Sequence, residues 1–369
     1  IRSVSDTRAK QSYNLYLSFF KTCDESSDYA KDYVALNIEE YTSRINVVVV
    51  NESEDRLALE FDLIHIEAPV ANALRRILIA EVPSMAIEKV YLYQNTSIIQ
   101  DEVLCHRLGL LPVNADPRMF DFPSEKSAST NELGTDCDEE PAGDPKRNLI
   151  FEINVKCTRK RNCPTIATEP ILIYDNSVVY TNSFKWVPIA NQETVLRPPP
   201  KMVHDDILLA KLRPGQQIEA RCHCIKGCGR DHAKFSPVAT ATYRILPDIK
   251  LKKQFSGDDA ERIKSSFSEG VIGIDSGGFA FVQDARRDAC NRNIFRYEDL
   301  AKNIELTRRK GHFIFSVEST GALKSSDLVI EACKIMEEKC RYLSDLFERK
   351  IKLTKKQAVF KARKIKLKE

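Results

Sequence analysis

The stretch LALEFDLIHIEAPVANALRRILIAEVPSMAIEKVYLY, residues 57–93, decides the fold class. Leu57, Leu59, Phe61 and Leu63 alternate with Ala58, Glu60 and Asp62, the period of two expected of a half-buried strand. Pro69 suits the first turn of a helix, and Val70, Ala73, Leu74, Ile77 and Leu78 then recur at helical spacing over 70–81. The other side of that helix carries Asn72 and Ile79, flanked by Arg75 and Arg76, so apolar material lies on two sides. AIEKVYLY at 86–93 reads as the next strand. Strand, helix, strand without a repeating βα unit predicts an α+β fold.

Working outward, INVVVV at 45–50 predicts a strand that begins the same half-buried sheet. A short helix is expected near 99–108, with Asp101 and Glu102 in its first turn, His106 and Arg107 in its last, and Gly109 as its stop. Residues 119–148 hold eight acids and three bases, the composition of a solvated acidic loop. Strand patterns resume at LIFEINVKC (149–157), ILIYDNSVVY (171–180) and QIEARCHCI (217–225). FAFV (279–282) and HFIFSVE (312–318) precede a long helix at 327–348. Ser326 is its expected N-cap, and Leu328, Ala332, Ile335, Met336, Leu343, Leu346 and Phe347 form its stripe. The expected organisation is an arm (1–39), a sheet-and-helix unit in two parts (40–93 and 236–348), a strand-rich insert between them (94–235) and a basic tail (349–369). The helices are expected on one side of the sheet.

The chain has 369 residues, 43% hydrophobic and 30% charged, which excludes disorder throughout. Its net charge of +3 conceals a split, because residues 349–369 hold ten Lys/Arg and one acid while the body before them is at −6. That tail suits either a solvated face or a nuclear-targeting or nucleic-acid contact. The apolar run from Ile45 to Val50 is far short of the ~18 residues that span a bilayer, so no membrane association is expected. Eleven cysteines at irregular spacing and no secretory leader point to a reducing compartment.

Cys222, Cys224, Cys228 and His232 offer the strongest metal pattern, a partial zinc motif in which Asp231 stands where a fourth cysteine would be. Ile218, Ala220, Cys222 and Cys224 share one strand face, so packing in a core is the favoured reading and zinc the minor one. GVIGIDSGG (270–278) matches neither phosphate-loop pattern and reads as a hairpin turn. Asp116 precedes Pro117 and reads as a turn residue. The sequence has no HExxH, no GxSxG and no alternating carboxylates for Mg²⁺, so neither catalysis nor a cofactor is expected.

The longer segment 61–112, FDLIHIEAPVANALRRILIAEVPSMAIEKVYLYQNTSIIQDEVLCHRLGLLP, resembles the α motif of the α-like RNA polymerase subunits. NALRRILIAEVPS (72–84) and DEVLCHRLGLLP (101–112) are its most specific parts. KGCGRDHAKFSPVATATYRILP (226–247) and FSVESTG (315–321) follow in family order. Within the family the chain is most similar to the larger α-like subunit shared by the nuclear RNA polymerases I and III. Only ~20 residues follow the last helix, too few for an autonomous DNA-binding domain, and a complete four-cysteine loop is lacking.

The resemblance implies a dimerisation domain with an antiparallel sheet, split by an inserted domain, and a non-catalytic subunit supporting rRNA, 5S rRNA and tRNA synthesis in the nucleus and nucleolus. Pairing with a smaller α-like subunit would build a platform for the second-largest subunit and small zinc-bearing subunits, with DNA reached only through the complex. By analogy the partner interface comprises Asn72, Leu74, Arg75, Arg76, Ile79, His106, Arg107, Leu328, Ile335, Leu343 and Leu346. Arg75 and Arg76 would bind carboxylates or carbonyls of the partner. The alternatives are a zinc-dependent nucleic-acid-binding protein, a stand-alone nucleotide enzyme, or the α-like subunit of another RNA polymerase.

Overall fold

The structure, a computed structural model, describes residues 38–123, 143–160 and 169–366, with side chains as far as Lys352. The expected arm up to residue 37, most of the acidic loop (124–142) and the side chains of most of the basic tail lie outside the described residues. Helix α1, Ile38–Arg44, belongs to a first unit that ends at Ile45, and Thr42 Oγ1 bonds back to the Ile38 carbonyl within it. Residues 46–369 form a second compact unit.

That unit contains strands β1 (Asn46–Glu52), β2 (Ala58–Ile64), β3 (Pro83–Asn95), β4 (Leu149–Lys156), β5 (Lys185–Val187), β6 (Gln217–Cys228), β7 (Val238–Leu251), β8 (Ile272–Ile274), β9 (Ala280–Val282) and β10 (Ile304–Ser319). Its main helices are α2 (Ala68–Ala80), α3 (Asp101–Gly109), α4 (Asp258–Ser266) and α5 (Ser325–Lys366). Among the described residues no helix is long and apolar enough to cross a membrane.

The first sheet has the order β1-β2-β10-β7, antiparallel throughout. Alternation sends Leu59, Phe61 and Leu63 of β2, and Phe313, Phe315 and Val317 of β10, to one face, where the Phe61 and Phe315 rings stack at 5.2 Å. Helices α2 and α5 cover that face with Ala71, Leu74, Ile77, Leu78, Leu328 and Ala332, as expected of a one-sided layer. β1 departs from the expectation of half-burial. All seven of its residues are exposed, because β1 is the outer strand and no described layer covers either of its faces.

The second sheet has the order β3-β6-β4-β5. β3 therefore belongs here and not with β2, so the change of sheet falls at Val82 and Pro83 instead of after residue 93. Met85, Ile87, Leu104, Leu108, Phe151, Ile153, Cys222 and Cys224 meet in its core. The outgoing and returning strands are neighbours, with Pro83 paired to Cys228. Just past that pair Arg230 N–H donates to the Ala80 carbonyl at 2.8 Å, and a Cβ on Gly229 would lie 2.2 Å from the Ile79 carbonyl oxygen.

A third core, absent from the sequence reading, lies within 249–306, where Phe255, Ile263, Val271, Ile294, Leu300 and Ile304 are buried. The glycine-rich 270–278 segment forms the expected hairpin, with Ile272 opposite Val282 and Gly278 in the left-handed region at φ +80°. Arg286 ties this core to the far face of the first sheet. Its Nη1 lies 2.8 Å from both oxygens of Asp62, and its Nε and Nη2 reach Glu60 Oε1 at 3.1 and 2.8 Å. His312 Nε2 lies 2.9 Å from the same Asp62.

α5 is much longer than the expected 327–348 helix. Its 42 residues give a rod of about 63 Å that continues through most of the basic stretch, where the sequence suggested no helical period. Its first residue is Ser325, and the expected cap, Ser326, already lies inside the helix. Ser325 N–H and Oγ–H both donate to the Arg56 carbonyl at 3.0 Å, fastening the helix start to the β1–β2 turn.

Two stability outcomes follow from these joints. Arg286→Ala leaves the buried Asp62 without its guanidinium, and is expected to cost about 2–4 kcal/mol, with amide exchange over 255–304 rising before that of the sheet. Gly229→Ala drives a Cβ into a backbone oxygen and is expected to lower the melting temperature by several degrees. Gly109→Ala, whose nearest atom would be the Ile87 carbonyl oxygen at an ordinary 3.6 Å, should be close to neutral.

Candidate partner interface

The candidate interface residues divide according to what lies beneath them. Leu74 and Leu328 are almost fully buried in this chain's own core, which corrects their assignment to a partner surface. The two-sided apolar character of α2 has an internal cause, since Ile79 is half-buried against the same core. Ile335 is half-buried there as well. Arg75 spends its Nε and Nη2 donors on Asn72 Oδ1 one turn back, at 3.2 and 2.9 Å, whereas Arg76 is exposed on the helix surface. Val70 is also exposed at the start of α2.

The outward half of α5 is different. Up to Met336 the stripe of Leu328, Val329, Ala332, Ile335 and Met336 packs on the sheet while Ile330 stays 52% exposed, and beside the end of α2 Lys339 Nζ holds Glu81 at 2.7 Å. Beyond that ion pair Tyr342, Leu343, Phe347 and Ile351 are 64%, 52%, 68% and 53% exposed, and Leu346 is half-buried. Leu343, Phe347 and Ile351 form an i, i+4, i+8 row. Tyr342 and Ile351 escaped the sequence reading, although the same helical period, carried past Phe347 and allowed to include tyrosine, would have found them. Arg118 steadies the inner part of the helix from the second sheet's side. It lies 4.0 Å from Glu331 and is clamped by Asp116, whose oxygens take its Nε and Nη2 at 2.7–3.0 Å. Burial pushes the Asp116 carboxyl up, but Arg118's hydrogen bonds and charge outweigh it and hold the group below the usual carboxylate range. Asp116 also caps the 3₁₀ turn Pro117–Met119, the turn role its sequence suggested.

His106 and Arg107 lie elsewhere. α3 packs Leu104 and Leu108 into the second sheet's core, so its exposed residues form a separate surface from the α5 row. Arg107 Nη2 donates to the Leu208 carbonyl at 2.7 Å, while exposed His106 borders a cavity of about 240 Å³ shared with Cys105, His232 and Lys234.

The possible zinc ligands do not converge. Cys222 and Cys224 lie in the core, and burial pushes the Cys222 thiol up to about 12 and Cys224 well above its ordinary value. Burial also raises Cys228, whose Sγ donates to the Glu81 carbonyl at 3.5 Å, and His232 Nδ1 accepts the Lys234 N–H at 3.1 Å. Since the thiolate is the metal ligand, burial works against this set. Among the described residues no group of three or more His, Cys, Asp or Glu is placed to hold a metal ion.

Residues 60–340 match the family described as the RNA polymerase Rpb3/Rpb11 dimerisation domain. The chain is 46% identical over 332 residues to the DNA-directed RNA polymerases I and III subunit RPAC1 of Mus musculus, covering 88% of this chain and 90% of that protein. It is 43% identical over 311 residues to the subunit of the same name from Saccharomyces cerevisiae, covering 84% and 89%. Against the DNA-directed RNA polymerase II subunit rpb3 of Dictyostelium discoideum identity is 32% over 295 residues, covering 76% and 87%. A one-sided helix layer on an antiparallel sheet, an unpaired apolar row on the helix that runs out of it, and these matches along nearly the whole described chain together place the protein in the RNA polymerase Rpb3/Rpb11 dimerisation-domain family.

Proposed function

We propose that this chain is a non-catalytic assembly subunit of the DNA-directed RNA polymerases I and III, acting in the nucleus by heterodimerising with a smaller α-like subunit. The observation that carries the reading is the exposed Tyr342, Leu343, Phe347 and Ile351 row on α5. A helix with such a row needs a second surface, since burying Leu343 and Phe347 contributes ~1.5–3 kcal/mol each. The higher identity to subunits named for polymerases I and III, 46% against 32% for a polymerase II subunit, supports the choice of enzyme.

The finer assignments extend this proposal. The heterodimer seam uses the outer half of α5 together with Val70 and Arg76 of α2, and the second sheet acts as an insert. His106 and Arg107 on α3 belong to a second contact, suited to the second-largest subunit, with small zinc-bearing subunits joining the same platform. Assembly extends to the nucleolus, where polymerase I works on rRNA genes.

Leu343→Asp/Phe347→Asp is expected to weaken the heterodimer by at least 100-fold in a titration with the smaller α-like subunit, while leaving the chain's melting temperature unchanged. Leu328→Asp, in the internal core, should instead unfold the chain. Elemental analysis of the purified chain is expected to find well under one zinc per molecule, whereas stoichiometric zinc lost on Cys228→Ser would restore the zinc-dependent reading.

A further inference from the structure

Among the described residues the first sheet has β1 as an outer edge that no further strand pairs. At its other side β7 feeds Ile249 into the third core, and Arg244 Nη1 reaches the Asp288 carbonyl at 3.4 Å. β1 pairs with β2 alone, leaving the backbone groups along its outer side without a strand partner among the described residues. Val47, Val48, Val49 and Val50 are 56%, 41%, 61% and 46% exposed. The register sets Val47 and Val49 opposite Leu63 and Phe61, on the helix-bearing face, and Val48 opposite Asp62 on the other. The edge is therefore apolar on both faces. Of the features that blunt exposed edges, this one has a register shift between Val49 and Asn51, but no lysine, proline or charge occurs between Asn46 and Asn51.

We propose that β1 is a strand-addition site, occupied in the assembled polymerase by an extended segment of another of its polypeptides. The main chain of that segment continues the ladder, while β-branched side chains lie against the valines. The charge around the edge defines the occupant further. β1 runs into Glu52, Glu54 and Asp55, and no cation occurs from Asn46 to Asp55. Asp55 is engaged by Ser53 and the Leu57 N–H, leaving Glu52 and Glu54 to face outward at the strand end. The segment is thus apolar over about five residues and carries Lys or Arg beside Glu52.

A second copy of this chain fits less well. Two β1 strands paired antiparallel about Val49 would set Asn46 against Glu52 and supply no cation. Nor can one seven-residue edge approach the ~800 Å² per partner of a stable interface, so the contact belongs to an assembly held together elsewhere. The inference in that respect rests on the assembly role proposed above.

Hydrogen exchange read by mass spectrometry over residues 46–52 tests it in three preparations: the chain alone at low and high concentration, the heterodimer with the smaller α-like subunit, and the complete polymerase. The outward-facing amides should exchange rapidly in the chain alone at both concentrations, and at least tenfold more slowly once another polymerase chain is present. Val47→Lys/Val49→Lys should abolish that slowing with the melting temperature and the α5-dependent heterodimer affinity unchanged. Equal exchange in all preparations overturns the proposal while the heterodimer stands. Slow exchange already in the dilute chain assigns the edge to this chain's own residues, and slowing only at high concentration assigns it to a second copy, and either overturns the proposal. Failure of the heterodimer to form at all strikes instead at the assembly role.

Discussion

The close approach of Gly229 to the Ile79 carbonyl is the constraint on which the rest of the architecture depends. The chain leaves the first sheet's helix layer at Val82, enters a different sheet at Pro83, and comes back to the end of α2 just past Cys228, because Pro83 and Cys228 are paired neighbours. Only a residue without a Cβ lets the returning strand come down on the end of α2, and Arg230 N–H then satisfies the Ala80 carbonyl, one of the acceptors a helix end leaves open. With departure and return pinned at one point, β7 follows the return joint and, with β10, completes the first sheet.

That closure determines what remains exposed. α2 is held from beneath by the aromatic layer of Phe61, Phe315 and Tyr243, and at its end by the return joint and the Lys339–Glu81 ion pair. α5 shares the layer only as far as Met336, yet its apolar period continues outward. A core residue and an exposed residue can therefore belong to one continuous stripe, with Leu328 inside and Phe347 outside.

This explains how far the sequence could be read. The alternation in 57–63, the helical period of 70–81 and the glycine-rich hairpin at 270–278 were legible because each is a local pattern with a local cause. Leu74 and Leu328 were not separable from Leu343 and Leu346, since period reports that a face is apolar and not what covers it. β3 was misplaced for a similar reason, as nothing within AIEKVYLY distinguishes pairing with β2 from pairing with β6. The third core escaped because its elements are short. Its buried residues, Phe255, Ile263, Val271, Ile294 and Leu300, are scattered among turns, and the salt-bridging role of Arg286 depends on Glu60 and Asp62 more than 200 residues away.

The chemistry of the interior also bears on function. The strongly raised thiols, Cys222 and Cys224, owe their shifts to burial in an apolar core, where no described base or metal partner activates them. Charged groups drawn inward are consumed by joints: Lys234 by Glu88 and the Ile87 carbonyl, and Arg286 by Asp62 and Glu60. The Lys234–Glu88 pair fixes the 3₁₀ turn Ala233–Phe235 against β3, and Arg286 fixes the third core against β2. A molecule that commits its buried polar groups to rigidity and leaves valine, leucine and phenylalanine on its edges is built to hold other chains in fixed relation, for which stiffness and complementary surface matter more than a reactive group.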